Sequence, residues 1–202
     1  MLRAGIALVN REGIDAVTIR RIADSLSVSP MALYRHVKDK ANLLGGMLEL
    51  IVRDAAVTDH DEPDWRDWAC ESYRRMADAM LEQRGVLALV ARVGAFGPST
   101  ADVVEEIIAR FLDAGFSPSE ASELLLDLNR FMLGAVLFDG AYWPEPGVPD
   151  RERKMRAGFE MLSEERFPNL TEHAAVVATA FSGRDLEPGF RRILDSHTAT
   201  RA

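Results

Sequence analysis

Apolar residues recur along nearly the whole chain at the three-to-four spacing of helices, and strand-like alternation is missing throughout. The pattern predicts an all-α protein with helices near residues 2–11, 18–25, 30–36, 40–56, 64–83, 86–93, 98–114, 118–141, 151–163, 171–181 and 187–197. Several boundaries have chemical reasons. Ser117-Pro-Ser-Glu120 is a capping box with proline at the first helical position, and Gly115 closes the helix before it. Gly13 ends the first helix, whose apolar face is Ala4, Ile6, Ala7, Leu8 and Val9. The polar, proline-marked stretch over 57–64 reads as a joint, and three prolines within 143–149 exclude a continuous helix there.

The segment from Thr18 to Lys40 is the most informative. Thr18 can cap one short helix, on which Ile19, Ile22, Ala23 and Leu26 share a buried face. Val28 is expected to plug the turn that follows. Ser29 can cap a second short helix with Pro30 at its first position, and Leu33 and Val37 then face inward. Met31, Ala32, Tyr34, Arg35, His36 and Lys38 are left outward. Two short helices around a tight turn, with hydroxyls and cations on the outer face, form the layout of a helix-turn-helix reader of the DNA major groove.

Charge agrees with this division only in its distribution. The 202-residue chain carries a net charge of −8, yet residues 1–56 hold eight Lys/Arg against six Asp/Glu, while the remainder holds sixteen against twenty-six. A mildly basic front can dock on a duplex while an acidic rear is repelled from it and faces away. Hydrophobic content of 48% is ample for a sizeable core. The longest apolar stretches, near 124–126 and 131–138, are broken by Asp127, Asn129, Arg130 and Asp139 and fall far short of a membrane span. With no secretory pattern at the start, a cytoplasmic location is expected. Cys70 is the only cysteine, which excludes an internal disulfide and any cysteine-cluster metal site.

The first half-hundred residues resemble the tetracycline-repressor (TetR) family of transcriptional regulators. The resemblance lies in Ala7-Leu-Val-Asn-Arg-Glu-Gly13, Val17-Thr-Ile-Arg-Arg-Ile-Ala23, Val28-Ser-Pro-Met-Ala-Leu-Tyr-Arg-His-Val-Lys-Asp-Lys40 and Leu43-Leu44. A weaker likeness to the tetracycline-repressor-type regulatory domain rests on Trp65, Asp113-Ala-Gly-Phe-Ser117, Arg166-Phe-Pro-Asn-Leu170 and Phe190. The first helix starts almost at Met1 without the basic arm that often precedes it in the family, either because the arm is not needed or because the chain is trimmed, and this leaves the major groove as the expected contact. The resemblance implies a helix-turn-helix DNA-binding domain over 1–46 and a ligand-binding and dimerisation domain over 47–202. It also implies a repressor released from its operator by a small molecule.

Roles follow residue by residue. Pro30, Met31 and Ala32 stand at the N-terminus of the recognition helix, where Met31 or Ala32 could touch a thymine methyl group. None of the three has a side-chain donor, so base reading leans on Arg20 and Arg35. Thr18, Ser29, Tyr34, His36 and Lys40 complete the DNA-binding set, most of them as phosphate contacts, with the positive end of the fourth helix adding to Lys40. Each also has a purely structural reading: Tyr34 as a packing ring, His36 as a capping histidine, Arg20 as an ion-paired arginine. One recognition helix buries too little surface for tight binding, so a homodimer on a palindromic operator is expected. Its interface is assigned to the 118–141 helix and the C-terminal helix with Phe190, Ile193 and Leu194, unless both helices are internal.

The resemblance further implies a cavity for a small-molecule effector in the body. Its candidate wall includes Met76, Met80, Arg92, Phe96, Leu128, Asn129, Phe131, Met132 and Trp143, with Leu87, Val90, Phe111 and Leu137 beside them; any of these could instead be ordinary core. Asn129, Arg130 and Arg92 interrupt apolar runs and need partners if buried, either an effector group or an acid such as Asp127. No cofactor, metal or membrane partner is expected, and the metal-coordinating residues of a magnesium–tetracycline site have no convincing counterpart. Neither His60 with Asp59, Asp61 and Glu62 nor His173 with Glu172 builds a catalytic site. The rival to a ligand-released repressor is a protein-interaction module or a constitutive DNA binder.

Overall fold

Two hydroxyls organise the front of the chain as the sequence predicts. Thr18 Oγ1 accepts from the Arg21 amide at 3.1 Å and starts α2 (Ile19–Ser25); Ser29 Oγ accepts from the Ala32 amide at 3.3 Å and starts α3 (Pro30–Tyr34). The computed structural model describes residues 1–83, 85–93, 97–142, 151–182 and 185–197. Ahead of α2 lie α1 (Leu2–Glu12) and a short 3-10 turn, Ile14–Ala16, which the periodicity did not reveal. Gly13 joins them at φ 84°, in the left-handed region that glycine adopts without cost.

The turn between α2 and α3 departs from expectation. Ser27 takes φ 55°, and the Val28 amide donates to Ala23 O at 3.0 Å while that of Ser27 donates to Asp24 O at 3.1 Å. This hydrogen-bonded helix ending swings Val28 outward, so Val28 and Leu26 are exposed and neither fills the turn, while Val17 and Ile22 are fully buried. Leu33 and Val37 are buried as predicted, pinning the recognition helix.

From there α4 (Lys40–Asp54) runs into the body. Seven of its fifteen residues are buried, on several sides, because helices on both flanks pack against it. The expected domain boundary at 46/47 falls inside this continuous helix. The stretch over 57–64 is no free joint either, since Val57 is buried and His60 Nε2 lies 2.9 Å from Ser72 Oγ while its ring stacks on Trp68.

The body continues with α5 (Trp65–Glu82), α6 (Val86–Val93), α7 (Pro98–Asp113), α8 (Pro118–Tyr142) and α12 (Glu187–Ser196). The capping box forms as read: Ser117 N donates to Glu120 Oε2 at 2.7 Å, and Glu120 N to Ser117 Oγ at 3.3 Å. Gly115, at φ 96°, ends α7 and lets Phe116 fold back on Phe111, with Trp65 edge-on to both. One apolar core extends from Leu8 and Ile22 through Met47 and Leu48 to Phe111, Leu128 and Leu194. Phe190 and Leu194 of α12 are spent inside this core, Phe190 against Tyr73 and Phe131, so they offer no outer face for a second subunit. A Cβ at Gly189 would overlap the Phe131 ring, which is how α12 approaches α8 so closely.

Contacts divide the chain into residues 1–140 with 186–202, and a smaller unit over 141–185. In the smaller unit, α9 (Arg151–Glu160) packs on α11 (Ala174–Ser182) through Phe159 and Phe181. The single helix expected over 171–181 is two, because Pro168 starts α10 (Pro168–Glu172) early and His173 leaves helical geometry before α11 begins.

Candidate DNA-reading face and effector cavity

On the recognition helix Met31 is 72% exposed and Tyr34 53%, large side chains left in water on a helix whose other face is sealed. Thr18, Arg20, Ser29, Pro30, Arg35 and His36 are exposed beside them, while Ala32 and Lys40 are half-buried. Thr18 and Ser29 already use their oxygens as helix caps, which leaves each hydroxyl hydrogen free to donate. The first turn of α4 differs from the reading: the Asp39 carboxylate accepts from Asn42 N at 2.8 Å, so that helix end is already partly neutralised.

The structure separates two adjacent arginines. Arg21 is tied down, its guanidinium donating to Glu12 Oε2 at 2.6 Å and reaching Ala16 O, and this pairing holds the Glu12 carboxyl below its usual range. Arg20 makes no ion pair among the described residues and is exposed to solvent.

Behind this head lies a cavity of about 440 Å³, bounded by Leu48 and Val52 of α4, Ser72, Tyr73, Met76 and Met80 of α5, and Val90 of α6. Thr100, Val103, Val104 and Ile107 of α7 form a further wall, and Ser122, Leu125, Asn129, Met132 and Leu133 of α8 another. Five of the predicted wall residues are therefore brought together: Met76, Met80, Val90, Asn129 and Met132. Others point elsewhere. On α8, Leu125, Asn129, Met132 and Leu133 share a face, whereas Leu128 is fully buried in the core and Phe131 packs edge-on against Phe190. Arg92 lies off the cavity on the surface, paired with Asp15 at 2.9 Å. Arg130 pairs with Asp127, Phe111 belongs to the aromatic cluster, and Leu137 is 61% exposed. Phe96 and Trp143 lie outside the described residues.

Sequence reasoning missed the walls from α4 and α7. The usable signal was the width of the apolar surface on α4, too broad for a helix with one buried side, and the Val103, Val104, Ile107 spacing on α7.

Three long-range polar links tie α4 to α7 and α1 to the segment that follows α5. Glu49 Oε2 on α4 accepts from Ser99 N at 2.6 Å; Asn10 Nδ2 on α1 donates to Gln83 Oε1 at 2.6 Å; Gly85 N donates to Asn10 Oδ1 at 3.0 Å. Burial raises the Tyr73 phenol well above its ordinary range and the Cys70 thiol to about 11, so both stay protonated. Beside the cavity, Arg74 and Arg75 hold the Glu71 carboxyl down to about 2, and burial together with Arg75 lowers the pKa of His60. Among the described residues no group of three or more His, Cys, Asp or Glu could hold a metal ion, and no helix is long and apolar enough to cross a membrane.

Comparison with known proteins matches residues 1–47 to the family described as bacterial regulatory proteins, tetR family, and residues 58–198 to the tetracyclin repressor-like C-terminal domain. The class G tetracycline repressor protein of Vibrio anguillarum is 28% identical over 203 residues, spanning 99% of this chain and 96% of that protein. The class C repressor of Escherichia coli is 37% identical over 146 residues, covering 68% of this chain and 63% of that one. Among solved structures, a possible TetR family transcriptional regulator from Streptomyces coelicolor A3(2) superposes with a TM-score of 0.75 at 28% identity, covering 96% of this chain and 95% of that one. ActR of Streptomyces coelicolor, solved in complex with actinorhodin, shares the fold with a TM-score of 0.75 at 20% identity over 96% of this chain and 93% of its own.

Proposed function

Because this chain belongs to the tetR family of bacterial regulatory proteins, we propose that it is a ligand-responsive transcriptional repressor whose cavity controls its grip on DNA. The observation that carries the reading is the course of α4. Its first residue, Lys40, stands beside the recognition segment, and two turns later the same helix contributes Leu48 and Val52 to the cavity wall. A ligand that moves that wall moves a rod on which the head is mounted.

In this proposal residues 1–46 are the reading head. Arg20 and Arg35 address base edges, Met31 and Ala32 offer apolar contact to thymine methyls, and Ser29 with Pro30 sets the angle at which the recognition helix enters the groove. Thr18, Tyr34, His36 and Lys40 hold phosphates and fix the register. Residues 47–202 bind the effector and the second subunit. Met76, Met80, Asn129 and Met132 contact the effector; Leu128 and Phe131 act one layer behind, as packing. The exposed Leu137 of α8 supplies the pairing face, so that two heads meet the half-sites of a palindromic operator. Effector binding favours a spacing of the heads that does not fit the operator, and DNA is released by a shift of population. The work is done in the cytoplasm, on the chromosome, and no catalytic step is involved.

The test is fluorescence anisotropy of a labelled duplex taken from upstream of the protein's own gene, at about 50 and 200 mM salt. Saturable binding that weakens steeply with salt and two subunits per duplex are expected. Failure to bind any duplex at the lower salt would overturn the assignment.

A further inference from the structure

The wall of the cavity has one-sided chemistry. Among the described residues that line it there is no lysine, arginine, histidine, aspartate or glutamate. Its one ionisable side chain, Tyr73, stays neutral because burial raises its phenol, and its hydroxyl donates to Leu125 O at 3.3 Å. Two more polar groups are engaged: Ser122 Oγ donates to Pro118 O at 2.7 Å, and Ser72 Oγ lies 2.9 Å from His60 Nε2. Two are not. Thr100 Oγ1 on α7 is buried with no hydrogen-bond partner among the described residues, and the Asn129 carboxamide on α8 makes no hydrogen bond among them.

We infer that the cavity takes an uncharged, mostly hydrocarbon molecule bearing a carbonyl or hydroxyl oxygen, which Thr100 and Asn129 recognise. The inference rests on reading this cavity as the effector site. An ionised group brought here would lose its water and meet no opposite charge among the described lining residues, a penalty that apolar contact does not offset. A neutral molecule with a polar oxygen removes apolar surface from water, pairs with the Asn129 carboxamide and, once the Thr100 side chain turns its sealed hydroxyl toward the cavity, gives that orphaned group a partner. The thioethers of Met76, Met80 and Met132 let the wall adjust to the outline of the hydrocarbon. Thr100 directly follows Ser99, whose amide is bound by Glu49, so the polar anchor sits beside a tie to α4, the helix that carries the head.

The test uses the full chain and two dyes that differ by one sulfonate, neutral phenylnaphthylamine and anionic anilinonaphthalene sulfonate, followed by fluorescence. Each is competed with acetylnaphthalene or with naphthoate. Saturable binding of the neutral dye is expected, with the sulfonate at least about tenfold weaker and the ketone at least about tenfold more potent than the carboxylate. Thr100→Val, which keeps the shape and removes the hydroxyl, is expected to weaken the ketone about fivefold while changing the neutral dye much less. Ser122→Phe and, as a second filling variant, Val103→Trp should lower binding of both neutral molecules. Equal affinity for charged and neutral members, no saturable binding of the neutral dye, or binding untouched by both filling variants would overturn the inference. Operator retention measured in the same solutions separates the two readings. A neutral ligand that binds without loosening DNA removes the effector role and keeps the ligand class, whereas release by naphthoate alone removes the ligand class and keeps the effector role.

Discussion

The Glu49 carboxylate, midway along α4, accepts a hydrogen bond from the Ser99 amide at 2.6 Å and so caps the helix that forms one side of the cavity. Gly97 makes room for it, since a Cβ there would overlap the same carboxylate. Removing the acceptor in Glu49→Ala leaves an amide of the first α7 turn without its partner, at a cost of about 1 kcal/mol in urea unfolding. The larger effect is expected in coupling: effector should release operator DNA less completely than in the parent, measured as the ratio of DNA affinities with and without ligand. A ratio equal to that of the parent would show that the link is structural only.

Arg20 and Arg21 are neighbours with opposite fates. Arg20→Ala is expected to keep the parent melting temperature and to weaken operator binding by about 1–3 kcal/mol, most strongly at one base position. Arg21→Ala releases Glu12 and Ala16 O, and is expected to lower the melting temperature while leaving base preference intact. Melting curves and binding to a panel of single-base operator variants read both outcomes, and a reversal of the two would displace Arg20 from the reading face.

Leu137 is the most exposed large apolar residue of α8 among the described residues and belongs to the pairing face proposed above. Leu137→Glu places a charge on each side of a two-fold contact and should convert dimer to monomer in light scattering, with operator affinity falling by at least about a hundredfold as the second head is lost. A dimer of unchanged mass would move the interface elsewhere.

Glu71 gives the acid side of the stability profile. Its carboxyl is held near 2 by hydrogen bonds from Arg74 and Arg75, against a model-peptide value of 4.5. A depressed folded-state pKa contributes stability above the unfolded value and loses it as pH falls toward the folded one. Stability should therefore fall between about pH 4.5 and 2, by about 1 kcal/mol once solvent screening of a part-exposed pair is allowed for. In Glu71→Gln the melting temperature is expected to be lower at neutral pH and flatter across that window.

Local chemistry was the most legible layer of the sequence. Thr18, Ser29, Gly13, Gly115 and the Ser117–Glu120 box each act within a few residues of themselves, and each takes the predicted role in the structure. Long-range placement was less legible. Nothing within reach of Leu128 in the chain distinguishes it from Asn129 or Met132, and only the packing of α12 against α8 decides which of them meets the core and which the cavity. Val28 misled because the left-handed backbone at Ser27 reverses its direction, and serine rarely signals that conformation. His60 read as part of a loose joint because its anchors, Ser72 and Trp68, lie on a helix that begins only after it.

The unbroken passage of α4 through residue 46 bears on any attempt to exchange heads between regulators. A chimera spliced at that residue would join two half-helices whose buried faces, Leu43 and Leu44 on one side and Met47 and Leu48 on the other, were fitted to different neighbours. A donor head has to bring the whole of α4 with it, and with that helix come Leu48 and Val52, so a transplanted DNA specificity carries part of its donor's ligand preference along.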